Sequence, residues 1–149
     1  MSGNGHETVT NQLITTHSNI DLQMKNGCTP IHFTDQKGHV TVTKQLIATR
    51  CNVDLQDKIG FTTLHTTTAN GHGSVMAQLI DDLCNVDLQD KIGFTPIHFT
   101  SDKGHETVTE KLIGGVPCNV DRQDKTGSTV LHVTVGHEHE AVTKKLHDV

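Results

Sequence analysis

Tryptophan and tyrosine are absent from this chain, phenylalanine occurs four times and apolar residues reach only 33%. Ordinary domains carry about 45–50%, so whatever core forms here is lean. No segment approaches the roughly 18 apolar residues of a membrane span, and the opening from Met1 to Gly5 lacks the charged and apolar regions of a secretion signal. Both absences point to a soluble chain with no membrane partner, in the cytoplasm or alternatively the nucleus. Runs of lysine or arginine are missing too, and the net charge is −5. A chain without a basic stripe releases few counterions from a phosphate backbone, which argues against nucleic acid as a partner. Neither a Cys-x-x-Cys pair nor an Asn-x-Ser/Thr acceptor occurs, as fits a reducing compartment.

What the chain does have is threonine, at 22 of 149 positions, and repetition. The stretch from Cys51 to Thr62 returns almost letter for letter at Cys84 to Thr95, 33 residues later. A period of that length marks one supersecondary unit that cannot bury its apolar face alone and therefore stacks on its neighbours. The chain divides as a single array, with a partial unit over residues 1–23, units over 24–56, 57–89 and 90–123, and a partial unit over 124–149. Apolar residues at i, i+4 and i+5 draw one face of a short helix at Val9/Leu13/Ile14, Val42/Leu46/Ile47, Val75/Leu79/Ile80 and Val108/Leu112/Ile113.

An earlier helix in the unit starts at Thr29-Pro30 and Thr95-Pro96, with Thr at the N-cap and Pro at the first helical position, where its missing N–H is harmless. Gly38, Gly71 and Gly104 follow about two turns later and suit the left-handed residue that ends a helix. The stretches Asp57 to Gly60 and Asp90 to Gly93 read as glycine-closed turns joining units, flanked by short extended Asn-Val-Asp-Leu pieces. The unit is thus helix, tight turn, helix, with a hairpin-like finger projecting between units, and the fold class is all-α.

Gly-x-Thr-Pro-Ile-His, then Gly-His, then Val-x-x-x-Leu-Ile at this period resembles the ankyrin repeat over essentially the whole chain, with blocks in phase at Thr29, Thr62, Thr95 and Thr129. The resemblance implies a solenoid of paired antiparallel helices in a curved row, its fingers extending to one side, and a non-catalytic protein-binding role. Several positions depart from that pattern. Where the family has two small alanines, this chain has Thr34-Asp35, Thr67-Thr68, Thr100-Ser101 and Thr134-Val135, and Thr costs ~0.5 kcal/mol against Ala in a helix. The family's glycine near the end of the second helix is replaced by His17, Arg50 and Leu83, which weakens each C-terminal cap. Gly114 to Pro117 carries one extra residue, so Thr95 and Thr129 stand 34 apart. In the last unit, counting from His132 puts Glu138-His139 in the Gly-His role rather than Gly136-His137. The array begins in mid-repeat and neither end carries an obvious polar cap, as expected of a monomer or a fragment of a longer array.

Twelve histidines invite a metal or acid–base hypothesis. However, His32, His65, His98 and His132 recur at the helix start and resemble the family's structural histidine, which implies hydrogen bonds to backbone. His6, His39, His72, His105 and His139 repeat with the period as turn residues. His137-Glu138-His139-Glu140 is the densest ligand-like cluster, yet it lacks the i, i+4 histidine pair of a zinc helix. No strand-turn-helix Gly-x-Ser-x-Gly and no phosphate-cradling glycine loop occurs. No catalytic residue, metal or cofactor is expected. Cys51, Cys84 and Cys118 share one site in successive units, where elements lie ~8–10 Å apart, beyond the ~7 Å reach of a disulfide. They read as small buried thiols.

The candidate binding residues are Lys58, Ile59, Phe61, Lys91, Ile92 and Phe94 at the finger tips, with Gln36, Lys37, Asn70, Asp102 and Lys103 on the first-helix surface. Ile59, Phe61, Ile92 and Phe94 occupy positions usually polar in this architecture, and stacking of adjacent units would bring all four together. An exposed apolar patch often marks a partner site. The other reading is that each Phe folds back on its own first helix, near Phe33 and Phe99. A protein partner held by finger tips and the concave first-helix surface is the expected function. Its rival is a structural spacer, or a drifted or engineered array with no specific ligand, suggested by the uneven Thr, His and Cys substitutions.

Overall fold

A computed structural model describes residue 12 and residues 19–148. The expectations for Val9, Leu13, Ile14, His6 and His17 fall outside those residues. Among the described residues, eight complete helices form four helix–turn–helix pairs, and no strand occurs. The pairs are α1 (Pro30–Gln36) with α2 (Val40–Ala48), α3 (Thr63–Asn70) with α4 (Gly73–Asp81), α5 (Pro96–Lys103) with α6 (Glu106–Gly115), and α7 (Val130–Gly136) with α8 (Glu140–His147). First helices pack on first helices and second on second, giving two parallel rows. Each first helix contributes one fully buried aliphatic side chain, Ile31, Leu64, Ile97 and Val130 in turn. The second helices bring Leu46, Ile47, Val75, Met76, Leu79, Val108, Leu112, Val142 and Leu146. The core is therefore a thin band between the rows, which is how 33% apolar residues suffice.

Every first helix opens the same way. Thr29, Thr62, Thr95 and Thr129 are extended N-caps, and the histidine three residues on closes a capping box with each. The first helices end at left-handed residues: Gly38, Gly71 and Gly104 at φ 73, 74 and 67°, and Glu138 at φ 57° in the last unit. Glu138 thus fills the glycine's role, while Gly136 remains inside α7. The second helices end the same way on Arg50 and Leu83, both at φ 59°. In the third complete unit the extra residue changes the exit. There α6 runs to Gly115 and leaves through an extended Val116 at φ −148°, with no left-handed step.

Holding a side chain in the left-handed region costs about 1–2 kcal/mol, part of which a glycine returns as backbone entropy. Leu83, 86% exposed, gains nothing from packing that would offset the strain. Arg50→Gly, Leu83→Gly and Glu138→Gly should each raise stability by about 1 kcal/mol in urea unfolding. Unchanged midpoints in all three variants would show that this strain is relieved elsewhere.

The fingers are tied together one to the next. Within a finger, the Asp57 N–H donates to the Phe61 carbonyl at 2.9 Å and Asp90 N–H to Phe94 at 2.8 Å, while each aspartate's Oδ1 accepts two N–H groups of its own turn. Between fingers, Lys58 N–H donates to Asn26, Lys91 N–H to Ile59 and Lys125 N–H to Ile92, at 2.9 to 3.0 Å. A column of glutamines repeats the link: Gln23, Gln56 and Gln89 Nε2 each donate to the carbonyl of the next glutamine position at 3.0 Å. The Asn-Val-Asp pieces are not extended as expected. Each is an Asx turn, with the Asp54 N–H donating to Asn52 Oδ1 at 3.1 Å, because asparagine offers its own backbone a closer partner than any neighbouring strand.

Threonine at the alanine positions is integrated into the fold. Thr34, Thr67, Thr100 and Thr134 all donate their hydroxyls to a carbonyl one turn back, at 2.8 to 3.2 Å. Thr67 differs from the other three. Its Oγ1 also donates to Asp35 Oδ2 at 2.9 Å, and His72 Nδ1 reaches Asp35 Oδ1 at 2.9 Å. Asp35 is 1% exposed. Burial pushes its carboxyl above the usual range, opposed by the bonds from His72 and Thr67. The joint between α1 and α3 is therefore polar, while the equivalent position at the next joint, Thr68, turns inward to its own helix, donating to Leu64 and His65 carbonyls.

Candidate functional site

The candidate residues lie on the finger turns and on the first helices or their ends. Ile59 and Ile92 are 55% and 56% exposed, and the carbonyl of Ile59 takes the N–H of Lys91, which sets the two tips side by side. Lys58, Lys91, Gln36, Lys37, Asn70 and Lys103 are exposed. Lys37 Nζ lies 5.6 Å from the centroid of the exposed Phe33 ring, within cation–π range. Asp102 is half-buried and already engaged, with Lys103 Nζ at 2.9 Å and His137 Nε2 at 3.3 Å.

Phe61 and Phe94 fold back on their own units, and Phe61 also meets a ring of the next one. Phe61 stacks on His65 at 5.4 Å and Phe94 on His98 at 5.0 Å. Phe99 stands between them, edge-on to both rings at 5.0 and 5.5 Å. All three phenylalanines are half-buried. The centre of this face is thus an aromatic triad bordered by two exposed isoleucines.

Beneath the triad the histidines fix the frame. The Thr62 backbone N–H donates to His65 Nδ1 at 3.1 Å, so Nδ1 is the unprotonated nitrogen and Nε2 carries the proton. Nε2–H then donates to the Phe94 carbonyl of the next unit at 3.1 Å. His32 repeats the bridge to Phe61 at 2.9 Å. His98 keeps the capping contact with Thr95, but its Nε2 is buried without a hydrogen-bond partner among the described residues. The Ser128 carbonyl is near enough to favour the protonated ring and not placed to close the bond.

Charging these rings requires a second proton on Nδ1, which would break the cap. Burial accordingly lowers the pKa values of His65 and His98, against smaller opposing effects from nearby carbonyls and aspartates. With a lowered folded pKa, the unfolded chain binds more protons. Stability is then complete above the unfolded value near ~6.5 and is lost as pH falls through it toward the lowered folded values. Asp35 has the opposite sign: its raised pKa gives stability present below the unfolded carboxylate value and lost as pH rises through the folded one. An Asp35→Asn background removes that contribution. In it the urea midpoint should be lower at pH 5.5 than at pH 8, and coincident midpoints would overturn the histidine argument.

Burial also raises the thiols, Cys51 to about 11 and Cys84 to about 12, which leaves them protonated and unreactive at neutral pH. All four cysteines are free. Among the described residues no three His, Cys, Asp or Glu side chains converge on a common point, and no helix is long and apolar enough to cross a membrane.

Sequence reasoning placed Phe99 beside a finger phenylalanine, as found, but passed over its contact with Phe61 and the parts played by Thr66 and Cys28. Writing the units in register exposes them: the position four after each N-cap threonine reads Phe33, Thr66, Phe99 and Val133, and the position before it reads Cys28, Phe61, Phe94 and Ser128. Residues 1–90 and 67–148 match the family model described as ankyrin repeats (3 copies). No curated protein matches the chain.

Proposed function

This chain belongs to the ankyrin-repeat family, and on that footing we propose that it is a non-catalytic module that binds a protein partner across its finger tips and concave first-helix surface. Ankyrin repeats are generally protein–protein interaction modules, and the family is typically non-enzymatic. The observation that carries the finer reading is the pair of isoleucines, Ile59 and Ile92, more than half exposed beside the Phe61–Phe99–Phe94 triad at the middle of the array. Leaving two aliphatic tips half in water is unfavourable by roughly 1 kcal/mol each relative to full burial, a cost that a bound partner removes. The exposed Lys58 and Lys91, next to the two tips in the chain, supply the polar border such a surface needs.

The test is affinity capture with the intact array and with an Ile59→Glu/Ile92→Glu variant, followed by direct binding measurement with each captured protein. A partner held at least tenfold more weakly by the variant supports the reading. Equal retention by both would overturn it. A second reading, an array with no selected ligand, is favoured by Arg50, Leu83 and Glu138, side chains held at positive φ where glycine would be unstrained. Capture of nothing by either protein is the outcome that reading requires.

A further inference from the structure

The groove between α3 and α5 is filled from within, and the groove between α1 and α3 is not. In the first, the Phe99 ring lies edge-on to Phe61 and Phe94 and 5.9 Å from His65 at an interplanar angle of 77°. One unit earlier the matching positions are Thr66 in place of Phe99, Cys28 in place of Phe61, His32 in place of His65 and Phe61 in place of Phe94. Two large rings are replaced by two small side chains, and the histidine bridge beneath them is kept. His32 still bridges to the Phe61 carbonyl at 2.9 Å, as His65 does to Phe94 at 3.1 Å. What remains is a cavity of about 200 Å³ lined by Cys28, His32, Phe61 and Thr66, with Ile59 and Ala69 among its other walls. A cavity of about 150 Å³ already admits a benzene ring.

We propose that this groove is an open slot for an aromatic side chain, phenylalanine before any other, presented by a partner polypeptide. The chain supplies its own template, since Phe99 shows one unit later which ring fits between a histidine and a phenylalanine held in this geometry. Aromatic rings prefer the edge-to-face contacts that His32 and Phe61 are placed to offer, which an aliphatic side chain cannot use. The exposed amides of Gln36 and Asn70 stand at the rim, where the backbone of an extended peptide would need donors and acceptors. The inference rests on the protein-binding reading and names the anchor that reading leaves open.

A displayed library of random peptides selected on the intact chain tests it. The enriched peptides should share an aromatic position, and Thr66→Phe, which fills the slot from inside, should weaken them at least tenfold. Thr66 is half-buried on α3, and the Phe99 precedent predicts a urea midpoint for the variant at or above the parent's. Thr66→Leu, occupying less of the slot, serves as a second variant and should weaken binding to a smaller degree. Enriched peptides without a shared aromatic, or peptides bound equally by all three proteins, overturn the slot and leave the protein-binding reading standing. Enrichment of no peptide at all overturns both.

Discussion

Gly60→Ala should cost the array about 3 kcal/mol or more, with Gly93→Ala equally severe and Gly127→Ala costing only about 1–2. All three glycines are left-handed, at φ 89, 92 and 85°, so the intrinsic strain of a side chain is the same in each. Their surroundings differ. A Cβ on Gly60 would sit 2.8 Å from both Asp90 Cα and Lys91 N, and one on Gly93 would meet Asp124 and Lys125 at the same distances. These are backbone atoms of the next finger, which cannot swing aside as a side chain can. Moving them would also break the bond from Lys91 N–H to the Ile59 carbonyl. At Gly127 the added atom meets nothing within 4 Å among the described residues. Chemical denaturation of the three variants separates strain from stacking, and equal costs at Gly60 and Gly127 would show that close finger contact contributes nothing to stability.

His65→Ala should be the most damaging single loss in a first helix, at about 3 kcal/mol, while His98→Ala should cost noticeably less. Removing the His65 ring leaves the Thr62 N–H without its partner and the Phe94 carbonyl with only the Asp90 N–H, opens a cavity and strips the stacking surface from Phe61. Unsatisfied buried groups cost about 1–3 kcal/mol and the cavity adds to that. His98 is equally buried but forms no bridge through Nε2, so only the cap, the packing and the stack on Phe94 are lost. Urea midpoints that fall by the same amount in both variants would mean the bridge to the next unit adds nothing to the cap.

The parts of this fold that a reader of the sequence recovers are those decided within one unit. Threonine at the N-cap, histidine at N3 and glycine at a left-handed exit are local rules, and even Glu138 is reached by counting from His132. The parts that escape depend on residues in different units at once. Asp35 looks like a flaw in an alanine position until Thr67 and His72, from the next unit, supply its two donors. Phe61 reads alternatively as a surface anchor or as a residue folded back on its helix, and it is both half-buried and part of the face, because Phe99 arrives from the neighbour. The extended reading of Asn-Val-Asp fails for a smaller reason: the asparagine side chain folds its own backbone into a turn, while its N–H reaches an aspartate of the preceding unit.

The bridge from the helix-start histidines runs in one direction only. The rings of the first two complete units donate forward, His32 to Phe61 and His65 to Phe94. A ribosome delivers the chain from its N-terminus, so when α1 emerges the partner of His32 is still 29 residues away. Until that carbonyl appears, the ring's N–H must stay hydrated, which buried packing forbids. These two helix starts are capped within their own units, but their histidines are fully bonded only after the next finger has been made.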